Sequence, residues 1–192
     1  MGSRTDIVAI SQVPIISMLD FLFARLTPAP AKRQSDRGAT AFDAAVAIAR
    51  TPEFFRRGEV PDTLDGRFAL LATILALLLV RIERDGEDGN PLSVALTERF
   101  IAAMESEHRE LGLGDPTLGK TVRKLVGALA KRVELWRSTT SSDGDWEAAT
   151  RTSAFAEDSD PAALQFVAAE LRALWERLVA ADLAAIDSGD IG

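Results

Sequence analysis

Along this chain apolar residues recur at intervals of three and four, the spacing that lays a stripe down one side of an α-helix. No run shows the alternating, β-branched pattern of a strand. The period predicts helices over residues 40–50, 52–57, 63–85, 91–111, 116–138, 145–156 and 161–186. Four of these starts are marked alike: Thr51-Pro52, Asn90-Pro91, Asp115-Pro116 and Asp160-Pro161 each set a capping residue before a proline at the first helical position, where its missing N–H costs nothing. Gly58 closes the short helix, and Gly112 fits the left-handed position that ends a helix. Short polar links such as "SSDGD" and "AEDSD" favour antiparallel neighbours, so the pattern predicts an all-α, single-domain bundle of about six to eight helices.

Two apolar segments depart from the amphipathic rule. "FALLATILALLLV", thirteen residues bracketed by Arg67 and Arg81, is apolar on every side. It falls short of the roughly 20 residues a membrane span requires, so it predicts a helix buried at the centre of the bundle. Near the start, "MLDFLFARL" groups Met18, Leu19, Leu22, Phe23 and Leu26 within helical reach as a short arm. The Pro-rich basic linker "TPAPAKRQSDRG", carrying Lys32, Arg33 and Arg37, follows it. The expected organisation is an extension, arm and linker over 1–38, a helical domain over 39–187 and a frayed tail over 188–192. Residues 1–17 lack the features of a signal peptide and read as an upstream extension. The arm has two readings: packing onto the bundle, or shallow insertion at a membrane surface steered by the linker cations.

Composition narrows the chemistry. A formal charge of -7 and a pI near 4.8 argue against nucleic acid as a partner, since a phosphate backbone rewards surplus Lys and Arg. The absence of cysteine removes thiolate metal sites and thiol nucleophiles. With His108 as the only histidine, multi-His metal sites are excluded, and no metal or cofactor is expected.

The stretch "VPDTLDGRF" then decides between catalysis and architecture. Asp62 is placed to accept from the N–H of Asp65 while the Asp65 carboxylate reaches back to the N–H of Asp62, the reciprocal pattern of a capping box. Gly66 lets a neighbouring backbone come close. The competing account is a small hydrolase using Asp62, Asp65 and His108 as a carboxylate–imidazole set, which needs a pocket joining them. His108 also suits a surface position in the last turn of its helix, where a cation favours the dipole. Glu107 falls on the stripe of Leu96, Phe100, Met104 and Leu111, where a carboxylate calls for an Arg or Lys partner. After Pro116 one face carries Val122, Leu125, Val126, Leu129, Val133 and Trp136. The other carries Lys120, Lys124 and Lys131, with Gly127 among them and Arg123 beside them. That stripe reads either as a solvated face or as a docking surface for anionic lipid or an acidic partner.

Taken together, "FDAAVAIARTPEFF", "VPDTLDGRF" and "ELGLGDPTLGKTVRKL" resemble the ubiquinol-cytochrome c chaperone family, in its bacterial form. The resemblance runs in order from Phe42 to about Trp136. Asp62, Thr63, Asp65, Gly66, Arg67, Arg109, Glu110, Gly112, Gly114, Asp115, Gly119 and Lys120 stand at matching positions. Departures are the absence of a histidine in "ALLATILAL", Trp136 in place of a tyrosine and His108 in place of an apolar residue. The resemblance implies an all-helical, non-enzymatic assembly chaperone. It would bind newly made cytochrome b, or another cytochrome bc complex subunit, at the cytoplasmic face of the inner membrane. A generic helical interaction or regulatory protein is the remaining alternative.

Overall fold

The structure, a computed structural model, describes residues 37–110, 115–142, 144–155 and 159–191, without the side chains of residues 108 and 115–118. In chain order its elements are α1 (Ala39–Ala49), α2 (Pro52–Arg56), α3 (Leu64–Ile82), a 3-10 segment (Glu83–Asp88), α4 (Asn90–Glu110), α5 (Asp115–Ser141), α6 (Trp146–Ala154), α7 (Pro161–Ala180) and α8 (Leu183–Asp187). The described residues contain no strand, and the fold is the expected all-α bundle. The expected arm, with Met18, Leu19, Leu22, Phe23 and Leu26, lies outside the described residues.

A helix that is apolar all round must be enclosed all round. Accordingly α3 forms the axis, touching α1, α4, α5, α6 and α7, with Leu70, Ile74, Leu75, Leu77, Leu78, Leu79 and Ile82 at 0 % exposure. Thr73 sits among them without cost because its hydroxyl donates to the carbonyls of Ala69 (2.8 Å) and Ser153 (3.1 Å). No helix among the described residues is long and apolar enough to cross a membrane.

Directions follow from the contacts. Gly89 lies on Ile82, and the rings of Phe68 and Phe100 are 5.9 Å apart, so α4 runs back along α3. Arg132 of α5 stands 5.8 Å over Phe68, while Arg137 reaches Glu83 just beyond the far end of α3. Likewise Val167 of α7 lies beside Gly58, before α3 starts, and Arg81 reaches Leu178 and Ala181. Both α5 and α7 therefore run in the sense of α3. Neighbours in sequence alternate as expected, but the axial helix keeps parallel company with α5 and α7, an arrangement that adjacency along the chain does not encode.

Helix ends differ from the expected ones for local reasons. The axial helix stops at Ile82, three residues before the expected 85, and tightens into the 3-10 segment, within which Gly86 takes φ 58°. The last long helix stops at Ala180 because Ala181 is extended (ψ 143°) and the Asp182 carboxylate accepts from Ala185 N–H at 2.8 Å, opening α8 instead. Beyond it, Gly189 at φ 80° turns the chain so that Ile191 is only 2 % exposed. Fraying from residue 188 thus does not describe the tail through 191. Asp187 also accepts from Gly38 N–H at 2.9 Å, tying the end of the domain to its beginning.

Candidate functional site

The motif "VPDTLDGRF" builds the entrance to α3. Thr63, not Asp62, is the N-cap: its hydroxyl accepts from Gly66 N–H at 3.2 Å. The expected Asp62–Asp65 capping box is corrected accordingly. The Asp62 carboxylate is taken by the Arg67 guanidinium at 2.6 Å, leaving the hydroxyl one residue on to satisfy the helix. This hydrogen bond holds the Asp62 carboxyl below the ordinary carboxylate range and raises the Arg67 guanidinium above its usual value. Asp65 is exposed in the first turn, where an acid suits the helix dipole. Gly66 is required sterically, since a β-carbon there would lie 2.0 Å from the Pro61 carbonyl oxygen.

Around this entrance lies a cleft of about 620 Å³, which the sequence reasoning missed. Its walls come from α1 (Val46, Ala49) and Arg50 just after it, α2 (Phe55, Arg56), the entrance to α3 (Asp62, Leu64, Asp65, Arg67, Phe68, Leu71), α4 (Met104, Glu107) and Leu125 of α5. Glu107 was expected to turn into a covered apolar stripe and pair there. Instead Leu96 and Phe100 are covered at 0 % exposure, Met104 borders the cleft, and Glu107 beside it is exposed with no ion pair to a described residue. The available signal was the pairing of apolar stripes with the motif residues at successive helix ends, but a single stripe does not tell whether it is covered.

The matching positions on the next helix pair are scattered. Arg109 and Glu110 are exposed at the end of α4, and Gly119 is half-buried in α5. Gly112 and Gly114 lie outside the described residues, as do the side chains of His108 and Asp115. The carboxylate–imidazole convergence that a hydrolase needs is therefore not among the described contacts, and Asp62 is already committed to Arg67. No cluster of His, Asp or Glu suited to a metal ion occurs among the described residues.

On α5 the two faces divide as the spacing predicts, except that Leu125 of the expected apolar face is half-buried at the cleft. Val122, Val126, Leu129, Val133 and Trp136 are at most 1 % exposed, whereas Lys120, Arg123, Lys124 and Lys131 are exposed and make no ion pair within the described residues. Gly127 among them has open space where a side chain would be. Two other arginines of α5 serve the fold. Arg132, its guanidinium pushed below its ordinary value by burial, donates to the carbonyls of Ser153 (2.9 Å) and Ala128 (3.1 Å). Arg137 pairs with Glu83 at 2.5 Å and with Glu134, and the Glu83 hydrogen bond raises its pKa.

The family model for the ubiquinol-cytochrome C chaperone matches residues 56–191, which takes in both the cleft entrance and the cationic face. The crystal structure of the Cbp3 homolog from Brucella abortus superposes with a TM-score of 0.69, covering 91% of this chain and 96% of that one at 24% identity; this likeness speaks for the fold. No curated protein matches by sequence. By the extent of the family match, the chain belongs to the ubiquinol-cytochrome c chaperone family.

Proposed function

We propose that the protein is a non-enzymatic assembly chaperone for the cytochrome bc complex. It binds newly made cytochrome b, or an early assembly intermediate, at the cytoplasmic face of the inner membrane. Family membership supports the chaperone role. The observation that carries the reading on the molecule itself is the α5 stripe: Lys120, Arg123, Lys124 and Lys131 are all exposed on a chain of net charge -7, and none is neutralised within the described fold. Unpaired like charges gathered on one face steer and orient an acidic partner more than they stabilise the bundle. The same stripe suits peripheral contact with anionic lipid, to which each nearby cation adds about 1 kcal/mol. Met18, Leu19, Leu22, Phe23 and Leu26 are the arm residues proposed to reach the bilayer.

Deleting the gene tests the reading directly. Assembled complex and the reduced-minus-oxidised absorbance of cytochrome b should both be lost, and a deletion strain with normal b-type spectra overturns the proposal. Crosslinkers placed at Lys120 or Lys124 should capture a subunit of the complex, identified by mass spectrometry.

A further inference from the structure

The cleft at the entrance of α3 is lined by apolar side chains that the bundle leaves partly open, with charged groups at its rim. Here Val46, Phe55, Phe68, Leu71, Met104 and Leu125 are half-buried around one concavity. Leu64, on the same lip, is 43 % exposed, one of two large apolar residues exposed to that extent among those described. Other half-buried apolar residues such as Ile48, Val94 and Leu135 lie outside the cleft, but here six of them and Leu64 line one concavity, and a contiguous open apolar patch of that kind marks an interaction site.

The rim identifies the occupant. Arg50 and Arg56 bring two cations, Asp65 and Glu107 two acids, and none of the four side chains makes a hydrogen bond or ion pair with a described residue. Asp62 and Arg67 cancel each other at 2.6 Å. An anionic lipid headgroup or a nucleic acid entering this rim would meet unpaired carboxylates as well as arginines, and like charge opposed across an interface costs affinity. A helix with an apolar face and charges of both signs at its flanks meets every group with its complement. Membrane proteins supply such helices, their apolar stretches ending in charged loops. A cleft of about 620 Å³ is in the range that takes up a drug-sized ligand, so it holds a few side chains from one helical face, spaced i, i+3/i+4 and i+7, rather than a whole helix.

We infer that this cleft is a helix-docking groove, separate from the cationic face of α5, which receives the apolar face of a polypeptide helix flanked by both acidic and basic residues. Arg50 and Arg56 take the acidic flank, Asp65 and Glu107 the basic flank, and Leu64 with Phe55 contact the apolar face. Only the choice of client rests on the assembly-chaperone reading.

The test is a peptide array tiling cytochrome b beside an unrelated polytopic membrane protein, probed with the purified full chain. Apolar peptides with mixed-charge flanks should retain it, and Leu64→Glu or Phe55→Glu should weaken that retention about tenfold, the effect of losing a buried anchor. Leu64→Glu should leave the circular dichroism unchanged, because the side chain is exposed and an acid suits the first turn of a helix. Glu107→Lys should shift preference away from basic flanks. Retention that survives Leu64→Glu but is lost in Lys124→Glu overturns the groove and leaves the cationic face as the client site. Absence of peptide retention overturns the groove while the deletion strain still decides the function. Binding to phosphatidylglycerol vesicles that disappears in Leu64→Glu makes the cleft a lipid site and also overturns the inference.

Discussion

At Gly66 the chain has no room for a side chain, because the Pro61 carbonyl passes directly over it. Gly66→Ala is expected to destabilise the protein by about 2 kcal/mol or more, through displacement of the Pro61–Thr63 turn, as measured by urea denaturation. The need for a glycine here was legible in "VPDTLDGRF", since a glycine in the first turn of an otherwise leucine-rich helix signals close approach. The partner of Asp62 was not legible, because an acid before a helix reads as a cap until a nearby arginine competes for it. Arg67 wins that competition, with a sign that can be checked. The depressed carboxyl of Asp62 contributes above the unfolded aspartate value and loses its contribution as pH falls through its own lower value. A carboxyl titration followed by NMR should place Asp62 below ordinary aspartates, and Arg67→Ala should return it to their range. Because the pair is fully exposed, global stability should hardly respond.

Arg81 organises the next scale, where whole helices are joined. It is 8 % exposed, and its guanidinium donates to the carbonyls of Leu178 (2.9 Å) and Ala181 (2.7 Å), the unsatisfied end of α7, as well as to Asp85 at 2.6 Å. Replacement by Met keeps the apolar stem but leaves those carbonyls unpaired, so Arg81→Met should cost about 3 kcal/mol in chemical denaturation. As a sequence letter Arg81 only marked the end of an apolar run; that it caps a helix nearly a hundred positions later depends on α3 and α7 running side by side in one sense. Helix identity was legible from period and punctuation, most clearly at Asp160-Pro161, where the carboxylate does accept from Ala162 and Ala163. Helix ends were less so, because Asp182 looks like one more polar residue of an amphipathic stripe until its carboxylate turns back to cap α8.

For the molecule as a whole, the sequence exposed the stripes and concealed the way they are assembled. The α5 cations face solvent as their spacing requires. The cleft arises where α1, α2, α4 and α5 splay around the entrance of α3, a property of their mutual placement that no single stripe contains. Its half-buried Phe68 and Leu71 share the helix whose following turns are fully enclosed. That axial helix has a consequence for how the protein comes apart. Because α3 touches α1, α4, α5, α6 and α7, no surrounding helix can detach without baring leucines to water, and its own amide protons have no local escape route. In native-state hydrogen exchange the amides of residues 74–82 should therefore be the slowest and share the free energy of global opening, while the five-residue α2 on the cleft wall exchanges well before them. The protein would then yield its groove to a client by local breathing, while its centre opens only when everything does.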